Sequence, residues 1–161
     1  MNKIIPIQEV LKLSQKIKKE NKTIVLCGGC FDILHIGHIQ FLENAKRQGD
    51  YLFILLESDQ SVKKIKGKNR PINLQSDRAE ILSSINFVDY IILLNEIKTN
   101  KDYDKLVFDL KPDIIAITKN NEKEIHVQRQ AKKINAKVVD VITRIKDKST
   151  TRLAGLIAKN F

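Results

Sequence analysis

Short runs of β-branched and aliphatic residues alternate with amphipathic stretches along the whole chain of 161 residues. The runs with the length and composition of buried strands are 23–26, 51–56, 88–94, 113–117 and 136–142. Apolar residues recur at helical spacing between them, which predicts helices over 7–20, 36–45, 77–85, 101–110, 122–134 and 149–159. Strands that alternate with helices form parallel sheets covered on both faces. The sequence therefore predicts an α/β fold with a five-stranded parallel sheet.

Length and charge limit the organisation of the chain and its partners. Its 161 residues fit one domain, which we expect to comprise a leading helix over 1–22 and an α/β core over 23–161. Lysine and arginine number 29 against 19 aspartates and glutamates, and this net charge of +10 points to an anionic partner. The aromatic residues are six Phe and three Tyr with no Trp. This composition disfavours a base-stacking surface and therefore nucleic acid as the partner.

The sequence also carries signals about its compartment. No apolar run approaches the roughly 20 residues that span a bilayer, so we expect no membrane partner. The first residues lead into a charged amphipathic stretch and not into the apolar segment of a signal peptide. Two cysteines do not make a disulfide framework. We therefore expect reduced thiols and a cytoplasmic location.

The segment CGGCFDILHIGH, residues 27–38, lies where the first strand run ends and the next helix begins. Glycines at such a junction let the backbone approach a ligand, and the helix N-terminus offers unpaired N–H groups and a partial positive charge. His35 and His38 are three residues apart, so they share one helix face and can address the same anion. Gly37 leaves room for a bulky group. A plainer interpretation is that both histidines cap or pack the turn.

The same segment allows two other interpretations. Cys27, Cys30, His35 and His38 are residue types that bind zinc, although zinc would occupy the helix start that an anion needs. Cys27-x-x-Cys30 is also the spacing of a redox pair. We favour two buried or half-buried thiols, because Cys27 falls in or at the end of a strand.

Together these motifs resemble the H-x-G-H nucleotidylyltransferases, a cytidylyltransferase-like family with a Rossmann-like three-layer α/β/α fold. Within it the chain is most similar to the D-glycero-D-manno-heptose 1-phosphate adenylyltransferases, through its Lys-Gly-x-x-Arg-Pro-Ile and Asp-Arg-Ala-Glu runs. Glycerol-phosphate cytidylyltransferases share only the histidine motif, a Gly-Asp pair and the Ser-Thr-Thr run. The resemblance covers nearly the whole chain, in segments 29–38, 42–46, 49–50, 58–62, 66–72, 77–80, 88–90, 111–113 and 149–151.

This resemblance implies a reaction and its participants. An oxygen of a sugar phosphate attacks the α-phosphorus of ATP or CTP, giving a nucleotide-diphosphate sugar and pyrophosphate. Mg²⁺ enters with the triphosphate, without direct side-chain ligands from the protein. The family also suggests a homodimer. The preferred product is ADP-heptose, and the alternative within the class is a cytidylyltransferase for glycerol 3-phosphate or another polyol phosphate.

The resemblance also implies residue roles. The catalytic residues are His35, His38 and Lys66. Lys66, with Lys63 and Lys64 as substitutes, belongs to a basic loop over 63–70 that could close over phosphates or could simply be solvated surface. The residues expected to bind nucleotide or phosphate are Gly29, Cys30, Phe31, Asp32, Gly37, Arg78, Asn120, Arg144, Ser149, Thr150 and Thr151.

Some of these residues have structural alternatives. Arg78 could instead pair with Asp77 or Glu80, within a helix that opens with Asp-x-x-Glu capping chemistry. One residue of the Ser-Thr-Thr run could simply cap the last helix.

One segment departs from the family pattern. After the fourth strand the family has a Gly-rich turn with an Asp, whereas this chain reads ITKNN over 117–121, with Asn120 at the Asp position. The link over 146–148 is also unusual. Both differences bear on nucleotide choice and activity. With the +10 charge, the altered turn supports a hypothesis of another class, an inactive nucleotide- or RNA-binding module.

Overall fold

Six parallel strands form a single sheet in a computed structural model that describes residues 2–96, 99–120, 124–143, 145 and 150–160, the last five of them by backbone alone. In sheet order the strands are β1-β4-β3-β2-β5-β6. The strands are β1 Ile4–Ile5, β2 Ile24–Gly29, β3 Tyr51–Leu56, β4 Tyr90–Leu93, β5 Ile114–Thr118 and β6 Lys137–Ile142. The helices are α1 Ile7–Lys19, α2 Ile36–Lys46, α3 Asp59–Lys66, α4 Gln75–Ser83, α5 Asn100–Leu110, α6 Glu124–Ile134 and α7 Thr150–Asn160.

Helices cover both faces of the sheet, which confirms the three-layer α/β/α prediction. Side chains of α1, α5 and α6 pack with one face of the strands, to which Ile24 and Leu26 point. Side chains of α2 and α4 pack with the other face, to which Val25 and Cys27 point. Successive strand residues thus alternate between two apolar clusters, which is why the central strands read as unbroken apolar runs.

The predicted count of five strands is wrong by one, because β1 consists of only two residues. Ile4 and Ile5 pair with Ile91 and Ile92 at the edge of the sheet, and Pro6 follows at the N-cap of α1. A two-residue strand is too short to show alternation, so the sequence carries no detectable signal for it.

Two predicted local features are also wrong. The stretch predicted as a basic loop over 63–70 begins inside α3, where Ser58 caps the helix by accepting a 3.1 Å hydrogen bond from the Ser61 amide. Helix α4 begins before Asp77, and its N-cap residue Leu74 makes no side-chain capping bond. The predicted Asp-x-x-Glu capping box therefore lies inside the helix.

Gly49 serves the packing of the turn before β3 and does not cap α2, which ends at Arg47 as its C-cap. A Cβ at Gly49 would lie 2.8 Å from Val25 Cγ2 and 2.9 Å from Thr23 Cγ2. The turn can approach β2 this closely only without a side chain at that position.

Candidate active site

The sheet has a topological switch point next to β2. From β2 the chain proceeds to β3 and β4 on one side and then returns through α5 to β5 on the other side. The carboxyl ends of β2 and β5, at Gly29 and Thr118, therefore flank a crevice of the kind in which open α/β sheets bind ligands. Helix α2 begins beside this crevice, with His35 as its N-cap residue.

His35 and His38 form a stacked pair at the start of α2. Their ring centroids are 3.9 Å apart at an interplanar angle of 23°, and the Phe31 ring meets His38 edge-on at 5.2 Å. The side chain of His35 makes no capping hydrogen bond. Within the described part of the chain, both Nδ1 atoms are buried and have no hydrogen-bond partner. Because buried polar atoms are normally paired, two orphaned nitrogens at a helix N-terminus indicate the place of a ligand.

Burial keeps both imidazoles neutral at neutral pH. Desolvation lowers the pKa of His35, and desolvation together with the charge of neighbouring His35 lowers the pKa of His38 to about 4. A contact with the backbone of Ile33 acts in the opposite direction on the pKa of His38. Each ring thus has one N–H to donate and one bare nitrogen that accepts.

The sequence folds this segment tightly around the histidines. A Cβ at Gly37 would lie 3.1 Å from two atoms of the His35 ring, and one at Gly29 would lie 2.7 Å from the Phe31 ring. Phe31 itself adopts a left-handed φ of 45°. The glycines predicted to admit a ligand therefore admit protein rings in this arrangement, and those rings hold the histidine pair in place.

Asp32 is a buried anchor. Its carboxylate accepts a hydrogen bond from Arg70 Nε and from the amides of Ile72 and Asn73, and its side chain is 1% exposed. These contacts fasten the loop between α3 and α4 under the segment that carries the histidines. The arrangement favours a positioning role for Asp32 over contact with phosphate.

Arg78 joins three loops of the site. Its guanidinium donates to the backbone oxygens of Cys30, Glu57 and Asn73, and it pairs with Asp59 at 2.7 Å. The alternative of a pairing with Asp77 or Glu80 is wrong, because the side chain is turned inward and is 1% exposed. With its three nitrogens donating to protein acceptors, Arg78 is placed to position the loops and not to contact phosphate directly.

The other predicted residues that the structure describes lie on α3, after β5 and on α7. Thr150 begins α7 and donates from Oγ1 to the Ile33 oxygen at 3.0 Å, which brings the start of this helix to the histidine segment. Thr151 is exposed in the same turn, and Lys66 is exposed at the end of α3. Asn120 follows β5 with a left-handed φ of 60°, a conformation that asparagine tolerates. Arg144 and Ser149 lie outside the described residues.

The cysteines do not support the zinc interpretation. Cys27 points into the apolar cluster under α2, and burial raises the pKa of its thiol to about 12. A metal-binding cysteine must be a thiolate, which this environment opposes. Across the part of the chain that the structure describes, no group of three or more His, Cys, Asp or Glu side chains is arranged to hold a metal ion.

Sequence reasoning missed two polar residues at the same end of the sheet. Glu57 follows β3 and is 9% exposed, and Tyr103 lies on α5 with its hydroxyl 2.6 Å from where a Cβ of Gly28 would be. The position of Glu57 just after a strand was a usable signal, because parallel strands present their carboxyl ends to the ligand. The position of Tyr103 gave none, because the residue it contacts on β2 lies more than 70 positions earlier in the chain.

A family model described as cytidylyltransferase-like matches residues 26–155. The chain belongs to the cytidylyltransferase-like family. The match covers both histidines and every strand from β3 to β6. In the described residues of this cytidylyltransferase-like chain, no helix is long and apolar enough to cross a membrane.

Several known proteins are similar to this cytidylyltransferase-like chain. "Bifunctional protein HldE" of Campylobacter fetus is 46% identical over 113 residues, and that of Aliarcobacter butzleri is 46% identical over 108 residues. These matches cover 70% and 67% of this chain but only 23% and 22% of the relatives. The chain therefore spans less than a quarter of the length of these curated relatives.

Two solved structures share the fold. The lipopolysaccharide core biosynthesis protein from Thermoplasma volcanium has a TM-score of 0.60 and 30% identity, with 80% of this chain and 99% of that chain covered. A pantoate-beta-alanine ligase from Francisella tularensis has a TM-score of 0.66 at 17% identity, covering 89% of this chain and 68% of that one. The second likeness concerns the fold alone.

Proposed function

We propose that this chain is a nucleotidylyltransferase that joins a nucleoside triphosphate to a sugar phosphate. The products are a nucleotide-diphosphate sugar and pyrophosphate. The observation that carries the proposal is the stacked, neutral histidine pair with orphaned Nδ1 atoms, at a helix N-terminus beside the switch point of the sheet. Such an arrangement suits a polyphosphate, because helix N–H groups and imidazoles both address phosphate oxygens.

In the proposed reaction, an oxygen of the sugar phosphate attacks the α-phosphorus and the bond to the β-phosphate oxygen breaks. The electron pair leaves with pyrophosphate. His35 and His38 hydrogen-bond phosphate oxygens and the helix N-terminus offsets the negative charge that builds in the transition state. Rigid packing of the two rings against Phe31 and Gly37 keeps these groups aligned before the substrate arrives.

Mg²⁺ enters the proposal with the nucleotide. The carboxylate nearest to the histidines in sequence, Asp32, is occupied by Arg70 and two backbone amides. The described residues therefore fit an ion carried mainly by substrate phosphates and water, which is how Mg²⁺ commonly binds. When bound, the ion supplies charge neutralisation on the triphosphate.

We further propose ATP and a heptose 1-phosphate as the substrates, with ADP-heptose as the product. The heptose-branch motifs, the two HldE relatives and a neighbour named for lipopolysaccharide core biosynthesis support this choice. In this scheme Lys66, Thr150, Thr151 and Asn120 contact the nucleotide or its phosphates. The reaction then takes place in the cytoplasm.

A pyrophosphate-release assay tests the proposal. Four nucleoside triphosphates are crossed with heptose 1-phosphate, hexose 1-phosphates and glycerol 3-phosphate, each with Mg²⁺. We expect the largest kcat/KM for ATP with heptose 1-phosphate. A maximum for CTP with glycerol 3-phosphate would favour the polyol-phosphate alternative. Absence of pyrophosphate release in every combination would overturn the enzymatic proposal and favour the binding module.

A further inference from the structure

Gly28, Glu57 and Tyr103 lie together at the carboxyl end of β2, on the sheet face opposite to α2, and the surface that they share is called the polar cleft below. Gly28 is exposed there although it belongs to the central strand and follows four buried residues. The hydroxyl of Tyr103 lies against this backbone, 2.6 Å from the position of a Gly28 Cβ. A side chain at this point would displace the Tyr103 hydroxyl.

Glu57 forms the neighbouring wall of the cleft. Its amide donates to the Gly29 oxygen at 3.1 Å and its own oxygen accepts from Arg78 at 2.9 Å, so both sides of its backbone are fixed. The residue is 9% exposed. Among the described residues, its carboxylate makes no hydrogen bond or ion pair. A carboxylate that is held on a fixed backbone and has no protein partner among the described residues is available to a ligand that supplies hydrogen-bond donors.

Tyr103 and Glu57 are close enough to influence one another. Burial raises the pKa of Tyr103, and the negative charge of Glu57 raises it further. The phenol therefore keeps its proton at neutral pH and can donate or accept a hydrogen bond. Together they offer a carboxylate on Glu57, which only accepts hydrogen bonds, and a hydroxyl on Tyr103, which donates or accepts them.

We propose that Glu57 and Tyr103 bind hydroxyl groups of the sugar phosphate acceptor and determine which acceptor is used. This inference rests on the proposed function. A carboxylate repels a triphosphate but accepts hydrogen bonds from hydroxyls, which a sugar supplies in number. The cleft also lies toward β3, whereas Asn120 lies at the end of β5 on the other side of β2. The two substrates would thus approach the histidines from opposite sides.

The test separates the KM for the acceptor from the KM for the nucleotide. In Glu57→Gln and Tyr103→Phe, we expect the KM for heptose 1-phosphate to rise about tenfold or more, because a charged or buried hydrogen bond is lost. The KM for ATP should stay within about twofold. The control is Tyr90→Phe, which removes a phenol at the amino end of β4, far from the cleft.

Gly28→Ala provides an independent variant if Glu57→Gln does not fold. Its Cβ would displace the Tyr103 hydroxyl, so we expect a raised KM for the acceptor in the wild-type background. No further rise is expected in a Tyr103→Phe background, where that hydroxyl is already absent. Thermal unfolding confirms that each variant is folded.

The outcomes distinguish this inference from the proposed function. If the wild-type protein releases pyrophosphate and the variants keep its KM for the acceptor, the inference alone is overturned. It is equally overturned if the KM for ATP rises instead. If the wild-type protein releases no pyrophosphate with any sugar phosphate, both proposals fall.

Discussion

At the scale of single residues, His35 and His38 differ from the third histidine of the chain in stacking and in burial. They are stacked on each other with buried, unpartnered Nδ1 atoms, whereas His126 is exposed on α6. We expect His35→Ala or His38→Ala to lower kcat about 10²–10³-fold, the usual effect of removing one donor to a transition state. The pyrophosphate-release assay measures this, and His126→Ala is the matched control. Near wild-type turnover in either variant would contradict the catalytic role.

The depressed pKa of His38 predicts a pH dependence of stability. In the unfolded chain this imidazole takes up a proton near its ordinary pKa of 6.5, but in the folded protein it does so only near 4. The unfolded state therefore binds more protons between these values, and the free energy of unfolding falls as the pH falls through that window. Urea unfolding between pH 7 and pH 4 should show a shallower decline in His38→Gln than in the wild type. Equal slopes would contradict the depressed pKa.

Residue types near a motif were predictable from the sequence, but their partners were not. The H-x-G-H spacing identified the histidine pair because three residues bring side chains to one helix face. Arg78 and Asp32 were expected at the phosphates, yet both are buried among backbone groups of distant loops. Such partners depend on the tertiary fold, and a local pattern contains no information on them.

At the scale of elements, Arg78 on α4 connects the segments that follow β2 and β3. Replacing it by methionine keeps much of the length but leaves the oxygens of Cys30, Glu57 and Asn73 without this donor. Since each unsatisfied buried group costs about 1–3 kcal/mol, we expect Arg78→Met to lower the free energy of unfolding by about 3 kcal/mol or more. Denaturant titration measures the change.

The control for Arg78→Met is Arg47→Met, which removes a cation from an exposed pair with Glu43 on α2. Exposed pairs of this kind contribute about 0.3–0.5 kcal/mol. A loss for Arg78→Met no larger than that for Arg47→Met would contradict the connecting role.

Elements with a strong apolar period were predictable, and short or polar elements were not. The run over 51–56 coincides with β3, because a strand buried on both faces is apolar throughout. Helix α3 went unrecognised because its sequence from Asp59 to Lys66 is dominated by charged and polar residues. What stabilises it is the Ser58 cap and the buried Val62, a single apolar anchor.

At the scale of the whole molecule, the net charge of +10 should attract the more highly charged substrate more strongly than the other. A nucleoside triphosphate carries more negative charge than a sugar phosphate, so salt screens its attraction to the protein more strongly. Between about 0.02 and about 0.3 M salt, we expect the KM for the triphosphate to rise more than the KM for the sugar phosphate. Steady-state kinetics at several ionic strengths measure both. If salt raised both KM values equally, the excess positive charge of the protein would lie away from the nucleotide.

The architecture was predictable because a chain in which strands alternate with helices can adopt only a few sheet topologies. The crevice beside β2 followed from the same logic. The contact between Tyr103 and Gly28 did not, because Tyr103 reaches β2 from a helix that follows it by more than 70 residues in the chain. The acceptor contact that we propose for Tyr103 therefore depends on a feature visible only in three dimensions.

The contacts of Asp32 and Arg78 have a consequence for protein engineering. They tie the histidine segment to the loops after β3 and α3, so none of these pieces can be exchanged by itself. A chimera that takes a new acceptor specificity from a relative would need to transplant residues 28–38 and 57–78 together. Helix α5 carries Tyr103, which lies against Gly28, so it belongs with these two segments. Helix α6 makes no hydrogen bond to them among the described side chains, which makes it the better crossover point for recombination.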